Sequence, residues 1–345
     1  MRATLQRRSS RRGSVLLMTL VLIVVVSFAL TMYIERAEVE IKSEGYYWKR
    51  AQLRKDAWSM MEVAVAALAD VKAIDRSLYS PSQGWSDPLE YAGITPRPGL
   101  EVHFEFIDES GKLNLNGAES DTLILLFDEL GFELDVAMQL ADVLLDWIDG
   151  DDETRIDGAE EREYSTLELD AHPANQPLQS LDELRYLFAF KDLFFDERGV
   201  PLPVFHELEN AVTVYEVSEL NLNAASSLAL RAVADMDEFD KQAIDQFLAG
   251  LDGVLGTADD EYFSSSEDLS SVLVDLPQGA PLGYQISVLT IKVTVKEAGY
   301  SYSLIGTVNT RSEAPAMQES DGNLKYPFHF LELREEPGAN NARPL

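Results

Sequence analysis

Apolar and polar positions change rhythm several times along this chain. The 21 residues from Ser14 to Ile34 carry no charge and are dominated by Leu and Val. As a helix they would span roughly 30 Å, the thickness of a bilayer core. From Glu35 to Val71 there is no proline and one glycine, Gly45, in a run dense in Ala, Glu, Lys, Arg, Leu and Met. Within it Met60, Val63, Ala64, Ala67 and Leu68 fall near helical spacing, which predicts an amphipathic helix continuing the apolar one and packing on a domain.

A strand rhythm appears elsewhere. LEVHFEFID ends at Asp108, ISVLTIKVTV alternates from Ile286, YSLIGTV follows the turn-like KEAGY, and Phe328 to Leu333 adds a short strand. These segments lie on both sides of a region with helical periods. The reading is an α+β fold: an antiparallel sheet made by residues 73–111 and 284–334, with an all-helical domain inserted at 112–283. The last stretch, 335–345, is rich in Pro, Gly and Asn and is read as a flexible tail.

The inserted region repeats itself. KLNLN begins at Lys112 and ELNLN at Glu219, 107 residues later, and each opens a similar stretch (112–153 and 219–261). Each reads as a short strand, a helix, a turn, a second helix and an acidic loop. Asn116 and Asn223 stand where a helix begins and are expected to cap it, with Glu119 completing a capping box in the first copy. In the second helices Ala137, Leu140, Ala141, Leu144 and Ile148 have core spacing, as do Ile244, Phe247, Leu248 and Leu251. Ser180-Leu-Asp-Glu183 begins a further helix, expected over 181–190. Tyr164 and Trp147 read as packing residues.

Charge narrows the function. There are 28 basic and 60 acidic residues, a formal net charge of −32; removing the first 13 residues, with their five arginines, takes it to −37. Such a surface repels phosphate backbones, so nucleic-acid binding is not expected. It suits basic partners or hard cations. With no cysteine, disulfides, thiolate metal sites and cysteine nucleophiles are excluded. No G-x-S-x-G, Walker, H-E-x-x-H or dinucleotide motif occurs, and His103, His172, His206 and His329 are isolated in sequence, so no enzyme is expected.

Two acidic loops carry the densest chemistry. In DWIDGDDETRIDGAEEREY, Asp149, Asp151, Asp152, Asp157 and Glu160 lie close together, with Gly150 and Gly158 permitting tight turns. Carboxylates at near-alternating positions can converge on one calcium ion, although the spacing is not that of an EF-hand and a solvated charge run has the same composition. LDGVLGTADDEYF offers Asp252, Asp259, Asp260 and Glu261 as a second, sparser loop.

The N-terminal segment admits three fates: a discarded signal peptide, a plain anchor, or a helix cut at its cytoplasmic edge and kept. The arginine cluster should stay cytoplasmic and place the rest across the inner membrane. A signal peptide would end, rather than begin, with small residues, whereas here Gly13 precedes the apolar run. That arrangement resembles the type IV pilins and pseudopilins. The resemblance implies a leader over 1–13, cleavage between Gly13 and Ser14 by a prepilin peptidase, N-terminal methylation, a transmembrane helix over 14–34 and its amphipathic continuation over 35–72. Most members have Glu at the fifth mature position. Here it is Met18, a departure shared with K-type minor pseudopilins.

FIDESGKLNLN, DWIDGDDE, DGAEEREY and NQPLQSLDELRYL then follow in the order of the K-type pseudopilins of type II secretion (general secretion pathway protein K), and the chain resembles that family over most of its length. The resemblance implies a pilin-like sheet with a calcium-binding helical insertion, a tip position on the periplasmic pseudopilus that drives export of folded proteins, and I- and J-type partners. The paired helices are also similar to the helix-hairpin-helix units of DNA-uptake proteins, but the turns DELGFELD and ADMDEFDK are acidic and lack Gly-x-Gly. A membrane-anchored DNA-uptake or type IV pilus accessory protein is therefore the rival reading, and a calcium-dependent adhesin a third.

Overall fold

The computed structural model describes residues 11–166, 172–257, 259–274, 277, 279–311 and 327–338, with side chains from residue 15 onward. The expected leader, residues 1–13, lies almost wholly outside the described residues. Gly13 and Ser14 lie on a described helical backbone, but nothing about their side chains is described.

Helix α1 (Arg11–Asp75) runs unbroken for 65 residues, about 98 Å at 1.5 Å per residue. Its most apolar window has a mean hydropathy of 2.8 and no residue buried in the chain's own fold, so by length and composition it can cross a membrane. From Leu53 the helix changes partner. Leu53, Ala57, Met61, Ala64, Leu68 and Val71 recur every three or four residues and are buried. Ala64, Ala67 and Leu68 of the expected stripe are buried, while Met60 and Val63 are half-buried at its margin.

After α2 (Pro88–Ala92) and strand β1 (Glu101–Asp108), the chain leaves the sheet for the insertion. That comprises β2 (Leu113–Asn114), α3 (Ser120–Glu129), α4 (Leu134–Ile148), α5 (Glu161–Thr166), α6 (Phe190–Phe194), α7 (Pro203–Ala211), β3 (Val212–Thr213), β4 (Leu220–Asn221), α8 (Ser227–Ala234), α9 (Glu238–Leu248), α10 (Ser266–Val272) and β5 (Leu282–Gly283). The chain returns as β6 (Val288–Glu297), β7 (Tyr300–Asn309) and β8 (His329–Pro337). The sheet is antiparallel in the order β1-β6-β7-β8. Ala298 and Gly299 close β6 onto β7 with φ of 51° and 82°, the left-handed pair that a two-residue hairpin turn needs.

Two apolar cores form. One gathers the end of α1, Leu78, Trp85 and the sheet's inner residues, such as Ile291, Val293 and Leu304. The other lies within the insertion, around Leu123, Phe127, Leu140, Leu144, Tyr164 and Phe190. Between them sits a polar joint made by the sequence Asp108-Glu-Ser-Gly111. Glu109 accepts from Thr213 (2.9 Å) and Thr290 (3.0 Å), and Ser110 Oγ accepts from the Ser287 and Val288 N–H groups. Asp108 accepts from Asn221 Nδ2 at 2.6 Å. Gly111 allows the close approach, because a Cβ there would lie 2.8 Å from the Ala224 backbone.

The structure corrects several local expectations. The insertion is not wholly helical: β2 pairs with β3 and β4 with β5, each in parallel. Helix α9 stops at Leu248, and Gly250 turns the chain at φ 61°, so Leu251 loses the helical register and is 99% exposed. Ser180 and Glu183 do form a capping box, but over a short 3-10 helix, Leu181–Tyr186, that ends well before 190. The supposed tail begins late. Glu335 to Pro337 belong to β8, and Glu335 binds Arg54 of α1 at 2.6 Å; residues 339–345 lie outside the described set.

Candidate metal centre

The first acidic loop is tied down from within. Helix α4 ends at Ile148, leaving Asp146 fully buried in its last turn and Asp149 as its C-cap. Asp146 accepts from the Arg155 backbone N–H and from Arg155 Nη1 at 2.6 Å, and the same Nη1 reaches Asp149 Oδ2 at 2.5 Å. Burial raises the Asp146 carboxyl, and the Arg155 bonds oppose that rise. Gly158 is required beside this pair, since a Cβ there would stand 2.0 Å from Asp146 Oδ2.

Asp149, Asp151 and Glu160 each place one carboxylate oxygen within 4.8 Å of the others'. Glu160 is 2% exposed, and neither of its oxygens has a hydrogen-bond partner; Asp149 Oδ1 is likewise buried and unpartnered. Burial, with the carboxylates of Asp146, Asp149, Asp152 and Asp151, pushes Glu160 up to about 7. A buried carboxylate with no donor facing it is costly, and a divalent cation is the partner that would offset that cost. Oxygen-only ligands favour a hard cation.

The other two acids expected in this loop are not part of that cluster. Asp152 accepts from Asn175 Nδ2 at 3.2 Å, and Asn175 also donates to the Asp151 carbonyl. At Asp157 it is the backbone N–H that is engaged, with Asp142 Oδ2 at 3.1 Å. In the second loop the acids hold the turn itself. Asp259 accepts from the Leu251 and Asp252 N–H groups, Asp260 from Gly256, and Asp252 from Val254. Asp252, Asp259, Asp260 and Glu261 form no three-acid cluster among the described residues.

Both LNLN motifs perform the same wiring, though not as caps. Asn116 Oδ1 accepts from Leu178 N–H at 2.7 Å, while its Nδ2 donates to the carbonyls of Leu178 (3.0 Å) and Val214 (2.8 Å). Asn223 repeats this with Phe263 N–H (2.7 Å) and the carbonyls of Phe263 (3.0 Å) and Tyr284 (2.9 Å). The helix following Asn116 has no side-chain cap at Glu119, and Ser226 caps α8. Asn223 and Asn116 therefore clamp distant segments. Each clamped segment leads into a capping box, Ser180–Glu183 or Ser265–Asp268. In the first half the clamp adjoins the acidic loop, since Asn175 N–H donates to the Trp147 carbonyl at 3.0 Å.

The chain thus combines a long apolar N-terminal helix, long enough to cross a membrane, with an antiparallel sheet that holds the helix's far end and is interrupted by a largely helical insertion. Residues 108–196, the joint and first acidic loop included, match the family model for type II secretion system (T2SS) protein K. The matched relatives carry the same name. The protein of Pectobacterium carotovorum subsp. carotovorum is 25% identical over 205 residues, 54% of this chain and 61% of the relative. That of Klebsiella pneumoniae is 26% identical over 244 residues, 66% and 72%. Together these matches show that the chain is similar to type II secretion system protein K, most specifically over residues 108–196. The fold agrees with the crystal structure of the GspK-GspI-GspJ complex from the enterotoxigenic Escherichia coli type 2 secretion system: TM-score 0.55, 18% identity, covering 87% of this chain and 99% of that one. The alignment spans less than two thirds of the Pectobacterium protein's length.

Proposed function

We propose that this chain is a minor pseudopilin of a type II secretion system, a structural rather than catalytic subunit at the tip of the periplasmic pseudopilus, where it initiates or caps the filament that drives export of folded proteins. The observation that carries the tip position is the insertion hung between β1 and β6. A head widened by a second core cannot stack in a uniform shaft, whereas at the tip nothing packs above it. Met18 agrees. The acidic side chain usual at that place serves the neighbouring subunit above, which a tip subunit lacks.

In this reading Ser14 to Ile34 spans the inner membrane after cleavage at Gly13 by the prepilin peptidase, and the head lies in the periplasm. The partners are I- and J-type pseudopilins, as in the complex named for the Escherichia coli neighbour. Calcium is the cation that the first loop would take, held by Asp149, Asp151 and Glu160; its two charges would offset most of the repulsion among the three carboxylates and lock the loop to the end of α4.

The test is co-purification of the full-length chain, in detergent, with the I- and J-type pseudopilins of the same organism, with calcium and with chelator. A ternary complex is expected in calcium. Absence of any complex under both conditions overturns the tip assignment.

A further inference from the structure

The first acidic loop contains a cation of its own. Arg155 Nη1 lies between Asp146 Oδ1 and Asp149 Oδ2, while the other oxygen of Asp149 is buried without a partner among the acids that face Glu160. Two physical roles are open to such a guanidinium, and they have opposite signs. As a charge beside the site, it repels a divalent ion and lowers its affinity. As a donor that fixes one oxygen of Asp149, it turns the other oxygen into the site and raises affinity, as partners of metal-bound carboxylates do.

The geometry favours the second role. Asp146 is a rigid anchor: it is fully buried on α4, and it accepts from both the Arg155 backbone and side chain. Gly158 leaves it room. The guanidinium is thus held at a fixed place relative to α4, and it holds Asp149 at the helix end. We propose that Arg155, seated on Asp146, is the positioning residue that aims Asp149 into the calcium site. This rests on the reading of the loop as a calcium site and adds to it a residue that touches no ion.

The experiment is calcium titration by calorimetry of the full-length chain in detergent, comparing wild type with Arg155→Gln and Arg155→Lys. Because one nitrogen makes both side-chain contacts, a lysine ammonium can replace much of the bridge. The expected result is a loss of about 10–100-fold in calcium affinity for Arg155→Gln, the range for second-shell partners, with Arg155→Lys restoring most of it. Thermal unfolding in chelator establishes that each variant is folded. Equal or tighter binding by a folded Arg155→Gln overturns the proposal, because charge repulsion would then be the guanidinium's only effect. If the wild type itself binds no calcium, the metal reading fails first and the role of Arg155 falls with it.

Discussion

Glu160 stores a penalty that can be measured. Its carboxyl is raised from 4.5 to about 7 by burial and by neighbouring acids. A displacement of that size corresponds to about 3 kcal/mol at alkaline pH. Glu160→Gln removes the charge while keeping the shape of the protonated acid, so the burial cost of the neutral group largely cancels. In chelator at pH 8 the variant should therefore be about 3 kcal/mol more stable than wild type. The sign follows from linkage. A carboxyl whose folded value is raised loses stability as pH rises from its ordinary range through about 7, and the loss is complete above that. At pH 4 the two proteins should be nearly equal. Calcium in excess should reverse the order, since wild type gains binding energy and the variant lacks a ligand. Urea unfolding followed by tryptophan fluorescence reads this directly, because Trp147 is 5% exposed in the helix that leads into the loop. A variant no more stable than wild type in chelator at pH 8 would refute the reasoning.

Asn116→Ala and Asn223→Ala should each cost about 3 kcal/mol, from three hydrogen bonds of about 1 kcal/mol apiece; a cost below about 1 kcal/mol at either position would break the equivalence of the two clamps. Gly111→Ala should destabilise by about 1–3 kcal/mol, because its methyl group meets the Ala224 backbone at the joint; unchanged urea unfolding would show that the joint yields freely. Bonds from Arg97 and Lys49 hold the Glu297 carboxyl down at about 2. Its contribution is complete above the ordinary carboxylate range and disappears as pH falls through about 2, so Glu297→Gln should flatten part of the acid-unfolding curve. Identical curves for the two proteins would contradict that.

The elements with strong periodicity were legible in the sequence because their partners are generic. ISVLTIKVTV alternates since one face meets α1, and Ala64 and Leu68 recur because one helix face meets the sheet. The asparagines were not legible in the same way. An Asn before a helix reads locally as a cap, whereas Asn116 bonds to residues 62 and 98 positions away. A signal was present nonetheless: Leu178-x-Ser180-x-x-Glu183 and Phe263-x-Ser265-x-x-Asp268 share one spacing, which extends the repeat beyond the helices. In the acidic loop, composition picked out Glu160, Asp149 and Asp151 but also Asp157, because spacing alone does not reveal which way a turn faces. Arg155 is not legible in the sequence for a related reason: in a count of acids, one arginine only subtracts.

The stretch of α1 between its apolar run and its grip on the sheet has a consequence for the acidic head. From Ile34 to Leu53 the helix rises about 28 Å, more than three screening lengths at physiological ionic strength, where one is about 8 Å. Under the proposed placement of Ser14 to Ile34 in the hydrocarbon, the head is electrically decoupled from an anionic lipid surface. In that reading its large negative charge governs what approaches from the aqueous side without repelling the bilayer around the apolar run.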